Sequence, residues 1–275
     1  GAGELFTVLS GDPVFRATEA GQEFLRQLTA LVGAKNSATE VDAVLAYLGQ
    51  LNEPALAFSM TSALGEGLQR ARASLAKTGG SVAAILMRAA KAADDGALPE
   101  AARVPAVRLL AHLPYAEAGK RLIALLDQSQ PQAAQLAALS TLAKFNAASV
   151  GTDLLPQWNA LTPRLRAEAV PVLLARPERA TELLRAIGAG TIRASVLDST
   201  QVKLLTTYRD AAVRELAVKV LAAPPASARQ PIIDGYAPAL LLKGDVAHGK
   251  KIYEERCVSC HRSSGEGSAL GPDFV

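Results

Sequence analysis

The chain is 275 residues long and carries 29 basic against 26 acidic side chains, a formal net charge of +3. So even a balance argues against nucleic-acid binding as a main role, and no run of about 18 apolar residues is present to span a membrane. Nearly half of the residues are hydrophobic, mostly Ala, Leu and Val, while aromatics make up only 4%; Ala and Leu favour helix, so the expected class is all-α.

The opening residues, Gly1 to Phe6, have neither a basic leader nor an apolar core and do not read as a signal peptide. The first helix is expected over Thr18 to Val32, where Phe24, Leu25, Leu28 and Leu31 recur at helical spacing. Ser37-Ala38-Thr39-Glu40 has the form of a capping box opening a helix that carries Val41, Val44, Leu45 and Leu48. Pro54 marks the next start. Gly79-Gly80-Ser81 breaks the chain before a helix through Ile85, Leu86 and Ala89, which Asp94-Asp95-Gly96 ends.

From about residue 99 the pattern becomes regular. Helices are expected over Arg103 to Leu113 and Ala116 to Leu126, then Pro131 to Phe145 with a short partner over Leu154 to Leu161. Pro163 to Leu174 pairs with Pro177 to Ile187, and Ser199 to Tyr208 with Asp210 to Leu221. Pro131, Pro163 and Pro177 suit first helical positions, where a missing N–H costs nothing. Helix pairs in series imply an α-solenoid. The stretches Ala101–Leu110, Gln132–Leu139 and Asp210–Ala217 share a polar start, an Ala-Val or Ala-Leu step and a polar residue between apolar ones. In this they resemble the HEAT repeat; a non-repeating helical bundle is the plainer alternative.

The expected organisation is a helical repeat domain over 1–235, a linker over 236–243 and the first part of a second domain over 244–275. The apolar run Ala239-Leu240-Leu241-Leu242 is expected to be buried against the helices. Asp245 is a plausible N-cap for a helix over Val246 to Glu255.

Both cysteines fall in one motif, Cys257-Val258-Ser259-Cys260-His261. Cys-x-x-Cys-His is the attachment motif of haem c. Two thiols three residues apart match the spacing of the vinyl groups on one porphyrin edge. The histidine next in sequence is then the proximal iron ligand. Cys257, Cys260 and His261 are therefore the candidate cofactor site, with His261 as the metal ligand. A structural zinc site would need further donors, and His112 and His248 stand alone. A thioredoxin-like pair would need a βαβ context that the sequence lacks.

The helix leading into the motif, with Gly249 and Tyr253, resembles the first helix of class I cytochromes c. That resemblance makes Pro272 the residue whose carbonyl would accept from the proximal histidine. Together, the HEAT-like repeats, Lys243 to Lys250, the haem motif, Gly265-Glu266-Gly267 and Gly271-Pro272-Asp273-Phe274 are similar to haem-binding multidomain proteins of planctomycete and verrucomicrobial type. Leu173–Ala180 and Ile187–Ile192 are similar to that family as well. The resemblance implies covalent haem c, electron transfer, a periplasmic or envelope location, and a redox partner protein or a fused sugar- or alcohol-dehydrogenase-like domain. The chain ends in mid-motif at Gly271 to Val275, so it reads as a segment of a longer protein. No methionine follows His261, which leaves the distal ligand unassigned and makes free thiols or a Cys257–Cys260 disulfide the alternative to bound haem in these 275 residues.

Other candidates are weaker. Trp158 reads as a packing residue, His112 as the end of a helix, and Met60 and Met87 as core. Arg164, Arg166, Arg176, Arg179 and Arg185 form a basic-rich helix pair, read first as a solvated face and second as a surface for an acidic protein partner. No Ser–His–Asp set, phosphate loop or paired catalytic carboxylate is present, so the segment is expected to hold no catalytic site of its own. A protein-interaction scaffold is the alternative function.

Overall fold

A computed structural model describes residues 1–79, 81–221, 230–263 and 265–267, without the side chains of 230, 231, 233 and 266. The chain divides into two compact units, Gly1–Ala222 and Ala223–Val275. Helix Gln230–Tyr236 belongs to the second unit.

The first unit is all helical among its described residues. It opens with two helices that the hydrophobic periodicity did not reveal, α1 (Ala2–Ser10) and α2 (Pro13–Ala17). The succession then runs α3 (Glu19–Lys35), α4 (Ala38–Gln50), α5 (Pro54–Arg70), α6 (Ser81–Asp94), α7 (Glu100–Leu109), α8 (Tyr115–Ala124), α9 (Gln132–Leu142), α10 (Ser149–Leu154), α11 (Pro163–Leu174), α12 (Pro177–Gly188), α13 (Ser199–Thr206) and α14 (Ala211–Val220). Several ends tighten into 3-10 turns, such as Leu110–His112 and Leu155–Ala160. That second turn takes most of the expected helix over Leu154 to Leu161.

The helices lie in two layers. In one, α3 packs on α5, α5 on α7, α7 on α9 and α9 on α11. In the other, α4 packs on α6, α8 on α10, α10 on α12 and α12 on α14. Helices of opposite layers also pack on one another along the chain, as in α6 on α7, α8 on α9 and α11 on α12. The core between the layers is one continuous cluster of Leu, Ala, Val and Ile, with Phe6, Phe58 and Trp158 added. Glycines let neighbouring helices of one layer approach closely: where α3 crosses α5, a Cβ on Gly33 would lie 2.2 Å from the Leu64 carbonyl oxygen and one on Gly67 2.1 Å from that of Ala30.

Caps fix many of the starts. Thr18, Thr162, Asp198 and Asp210 each accept a backbone N–H of the helix they open. The expected box at Ser37 does not form, since Ser37 makes no side-chain cap bond. Its Glu40 is drawn instead to Lys35 and to the Gly3 N–H. Pro163 and Pro177 take the first helical turn, whereas Pro131 is the residue before α9. Pro105 and Pro171 sit inside α7 and α11, on the partly exposed side of each helix. There the carbonyl left without its N–H partner is near water.

The arginine-rich stretch is not simply a solvated face. Arg179 is fully buried, and Arg103 is buried too. Arg103 donates from Nε to the Ala93 carbonyl at 2.8 Å and from Nη2 to Gln130 Oε1 at 2.7 Å. Arg166 reaches the Trp158 and Asn159 carbonyls, both at 3.0 Å, and Arg214 that of Tyr208 at 2.9 Å. These guanidinium groups satisfy carbonyls that end the preceding helix or turn, joining one element to the next. Trp158 is buried, with Arg166 over its ring, and Met60 is buried as expected. Met87 is exposed, contrary to expectation.

In the second unit, α15 (Gln230–Tyr236) leads through a 3-10 turn, Ala237–Leu241, to α16 (Val246–Arg256). A two-residue hairpin follows, Arg262–Ser263 (β1) antiparallel to Glu266–Gly267 (β2). Within the second unit no described residue covers Leu240, Leu241 and Leu242, which are 89%, 89% and 74% exposed. Among the described residues no helix is long and apolar enough to cross a membrane.

Candidate haem-attachment site

Asp245 opens α16, its carboxylate accepting the His248 N–H at 3.0 Å. The helix ends as the motif begins. The Cys257 and Val258 N–H groups both bond to the Tyr253 carbonyl, at 2.9 and 3.0 Å. The Cys260 and His261 N–H groups then bond to the Cys257 carbonyl, at 3.1 and 2.9 Å. The five residues are thus one extra turn. Positions i, i+3 and i+4 of such a turn lie on one side, which gathers Cys257, Cys260 and His261.

Both thiols are free; Cys257 is half-buried and Cys260 exposed. No disulfide joins them, which sets aside the disulfide alternative for this structure. His261 is half-buried. The Tyr253 hydroxyl donates to its carbonyl oxygen at 2.8 Å. Two thiols and an imidazole on one turn are the donor set that a covalently held haem requires; the Ser259 hydroxyl lies 3.8 Å from Cys260 Sγ. No group of three His, Cys, Asp or Glu side chains among the described residues forms a cage for a bare metal ion. The donor set present, two thiols and an imidazole at Cys-x-x-Cys-His spacing, fits haem c.

Pro272 and Gly271 lie outside the described residues. His112, the other histidine weighed for a role, ends the 3-10 turn after α7, more than a hundred positions away in sequence and in the other unit. Its neighbours are structural: a Cβ on Gly65 would meet the imidazole at 2.3 Å. Sequence reasoning did not reach the Tyr253 hydroxyl contact. The spacing of Tyr253 before Cys257 marks the helix, but nothing in it reports a bond forward to His261.

Residues 246–274 match the model of the Cytochrome c family. The match is confined to the second unit and encloses the whole motif. The family implies covalently bound haem c, which gives this segment a haem-binding, electron-transferring character. No curated protein and no solved structure matches the chain.

Proposed function

We propose that the chain is part of a c-type electron-transfer protein in which Cys257 and Cys260 form the two thioether links to haem c and His261 is the proximal ligand. The observation that carries this reading is the family match over 246–274, with its Cys-x-x-Cys-His turn already formed and its thiols free. Haem c, when bound, supplies a one-electron iron couple. The chain's own residues supply the rest. Cys257 and Cys260 fix the group to the end of α16, Tyr253 and the hairpin hold the backbone under His261, and Pro272 is the proposed acceptor for the His261 ring N–H.

In this reading the helical array, HEAT-like in its sequence pattern, holds the haem module against its electron donor or acceptor. That donor is a separate redox protein or a fused dehydrogenase-like domain of the kind the sequence resemblance implies. Haem c is attached outside the cytoplasm, so a periplasmic or envelope location accompanies the proposal. The domain limits at 235 and 243 belong to the same proposal.

The test is covalent haem itself. The 275-residue chain, exported together with a haem c maturation system, is expected to show a reduced pyridine haemochrome signal that survives denaturing electrophoresis. Cys257→Ser with Cys260→Ser is expected to abolish it. A wild-type chain with no covalent haem sinks the reading.

A second reading, a protein-docking scaffold, is favoured by one feature of the first unit. A groove of about 590 Å³ between α7, α9 and α11 has an apolar floor of Val104, Leu136 and Val172, with Arg108 and Glu168 on its walls. A double-serine variant that retains its full activity in cells would favour this reading over electron transfer.

A further inference from the structure

Tyr253 holds both ends of the attachment turn. Its main-chain carbonyl receives the Cys257 and Val258 N–H groups at 2.9 and 3.0 Å, fixing where the motif starts. Its side-chain hydroxyl donates to the His261 carbonyl at 2.8 Å, fixing where the motif ends. Eight residues separate donor from acceptor, so the bond ties α16 to the chain beyond it rather than extending the helix.

The hairpin completes the arrangement. Arg262, next to His261, pairs with Gly267 across β1 and β2. Gly267 has φ of +107°, a region that residues with a Cβ rarely adopt. A Cβ there would lie 2.2 Å from the His261 carbonyl oxygen and 2.7 Å from the Tyr253 hydroxyl. Glycine at 267 is therefore what lets the hydroxyl reach the carbonyl, because any side chain would occupy the place where the two atoms meet.

We infer that Tyr253 is a positioning residue for the haem ligand: its hydroxyl, admitted by Gly267, latches the His261 main chain before iron binds. The inference rests on the haem reading above. With the backbone of 257–261 pinned at both ends, ligation orders only the imidazole and two thiol torsions. The ordering cost of the loop is met in advance by folding, as preorganised sites do. An aromatic ring without the hydroxyl could pack at this place but could not hold His261.

The test uses Tyr253→Phe, which removes only the hydroxyl, and Gly267→Ala, which crowds the same bond from the other side. Both are made in the full 275-residue chain. In the haem-free protein, hydrogen exchange of the Cys260 and His261 amides is expected to speed up about fivefold in each variant, the effect of losing one hydrogen bond. After export with a maturation system, haem per chain is expected to fall about as much, and the haem that is attached should show a shifted iron–imidazole stretch and a changed reduction potential. Two independent variants guard against a simple folding defect of the second unit, which faster amide exchange along the whole of α16 would reveal.

Unchanged exchange in both variants overturns the latch. Faster exchange with wild-type haem content, iron–imidazole stretch and potential overturns its positioning role. A wild-type chain that takes up no haem overturns the haem reading and the positioning role with it. That failure is distinguishable, because the exchange measurement uses no haem.

Discussion

The most demanding test of the fold concerns Arg179, a cation buried to 0% exposure with no carboxylate bonded to it among the described residues. Its Nη1 donates to the Val172 carbonyl at 3.3 Å, and its Nη2 to that of Ala147 at 3.2 Å and to that of Phe145. Nε has no partner. Burial lowers its pKa, with Arg176 adding and Tyr115 and Glu178 opposing, yet a guanidinium stays charged at neutral pH. Arg179→Met keeps much of the apolar stem and removes every donor. The Ala147 carbonyl belongs to a half-buried residue that water can reach, so two acceptors, on Phe145 and Val172, are left unmet. At about 1–3 kcal/mol for each such group, the loss is about 2–6 kcal/mol. Part is returned because no charge is then buried, an effect that can itself reach several kcal/mol. The expected net loss is about 2–3 kcal/mol, a fall in melting temperature of about 5–10 °C for a unit of this size. Far-UV circular dichroism melts measure it. A methionine variant that melts at or above the wild type would refute the argument, showing that desolvation of the guanidinium outweighs the carbonyls it serves.

Three further outcomes are expected. Burial holds His112 neutral, lowering its pKa to about 4 from 6.5, with Lys144 adding and Glu66 and the Ser62 backbone opposing. The unfolded chain therefore takes up a proton that the folded one refuses, so this contribution is whole above pH 6.5 and is lost as pH falls toward 4, up to about 3 kcal/mol; urea midpoints across that range should fall for the wild type and flatten for His112→Asn. Gly33→Ala places a Cβ 2.2 Å from the Leu64 carbonyl oxygen and should cost about 2 kcal/mol or more in urea denaturation by forcing α3 from α5, whereas Gly49→Ala, with nothing within 4 Å, should cost nothing. Asp245→Ala removes the cap of α16 and should destabilise that helix by about 1 kcal/mol, read as faster exchange of the His248 and Gly249 amides.

Elements governed by nearby residues were legible in the sequence. Helix α11 begins and ends where Thr162, Pro163 and the apolar spacing place it, because cap, proline and periodicity act within a few positions. Helices α1 and α2 escape the periodicity because they are short and are held by packing, α1 on α3 and α4 and α2 on α3. The Ser37 box failed for the same kind of reason. Glu40 has a local use as a capping partner, but the Lys35 ammonium and a distant Gly3 N–H compete for it and win. Arg103 and Arg179 are the sharper lesson. Arginine is ordinarily at the surface, and only the arrival of helix-ending carbonyls from neighbouring elements makes burial tolerable.

The attachment site divides along the same line. Cys257, Cys260 and His261 stand out in the sequence because the chemistry proposed for them imposes a spacing: thioether bonds to two fixed vinyl carbons and one iron admit little else. That constraint is local, so five letters contain it. What keeps those five residues in a ligand-ready turn is not local. It depends on a hydroxyl four residues before Cys257 and a glycine six residues after His261, and each is ordinary when taken alone. Only their meeting at the His261 carbonyl gives them a role. If the latch reading holds, the tolerance of position 253 and that of position 267 must be linked: once Tyr253→Phe has removed the bond, Gly267→Ala should add little further to amide exchange at 260 and 261. A double-mutant cycle measures that coupling directly. Fully additive effects would mean that the two residues act separately, and the turn would then owe its order to α16 and the hairpin alone.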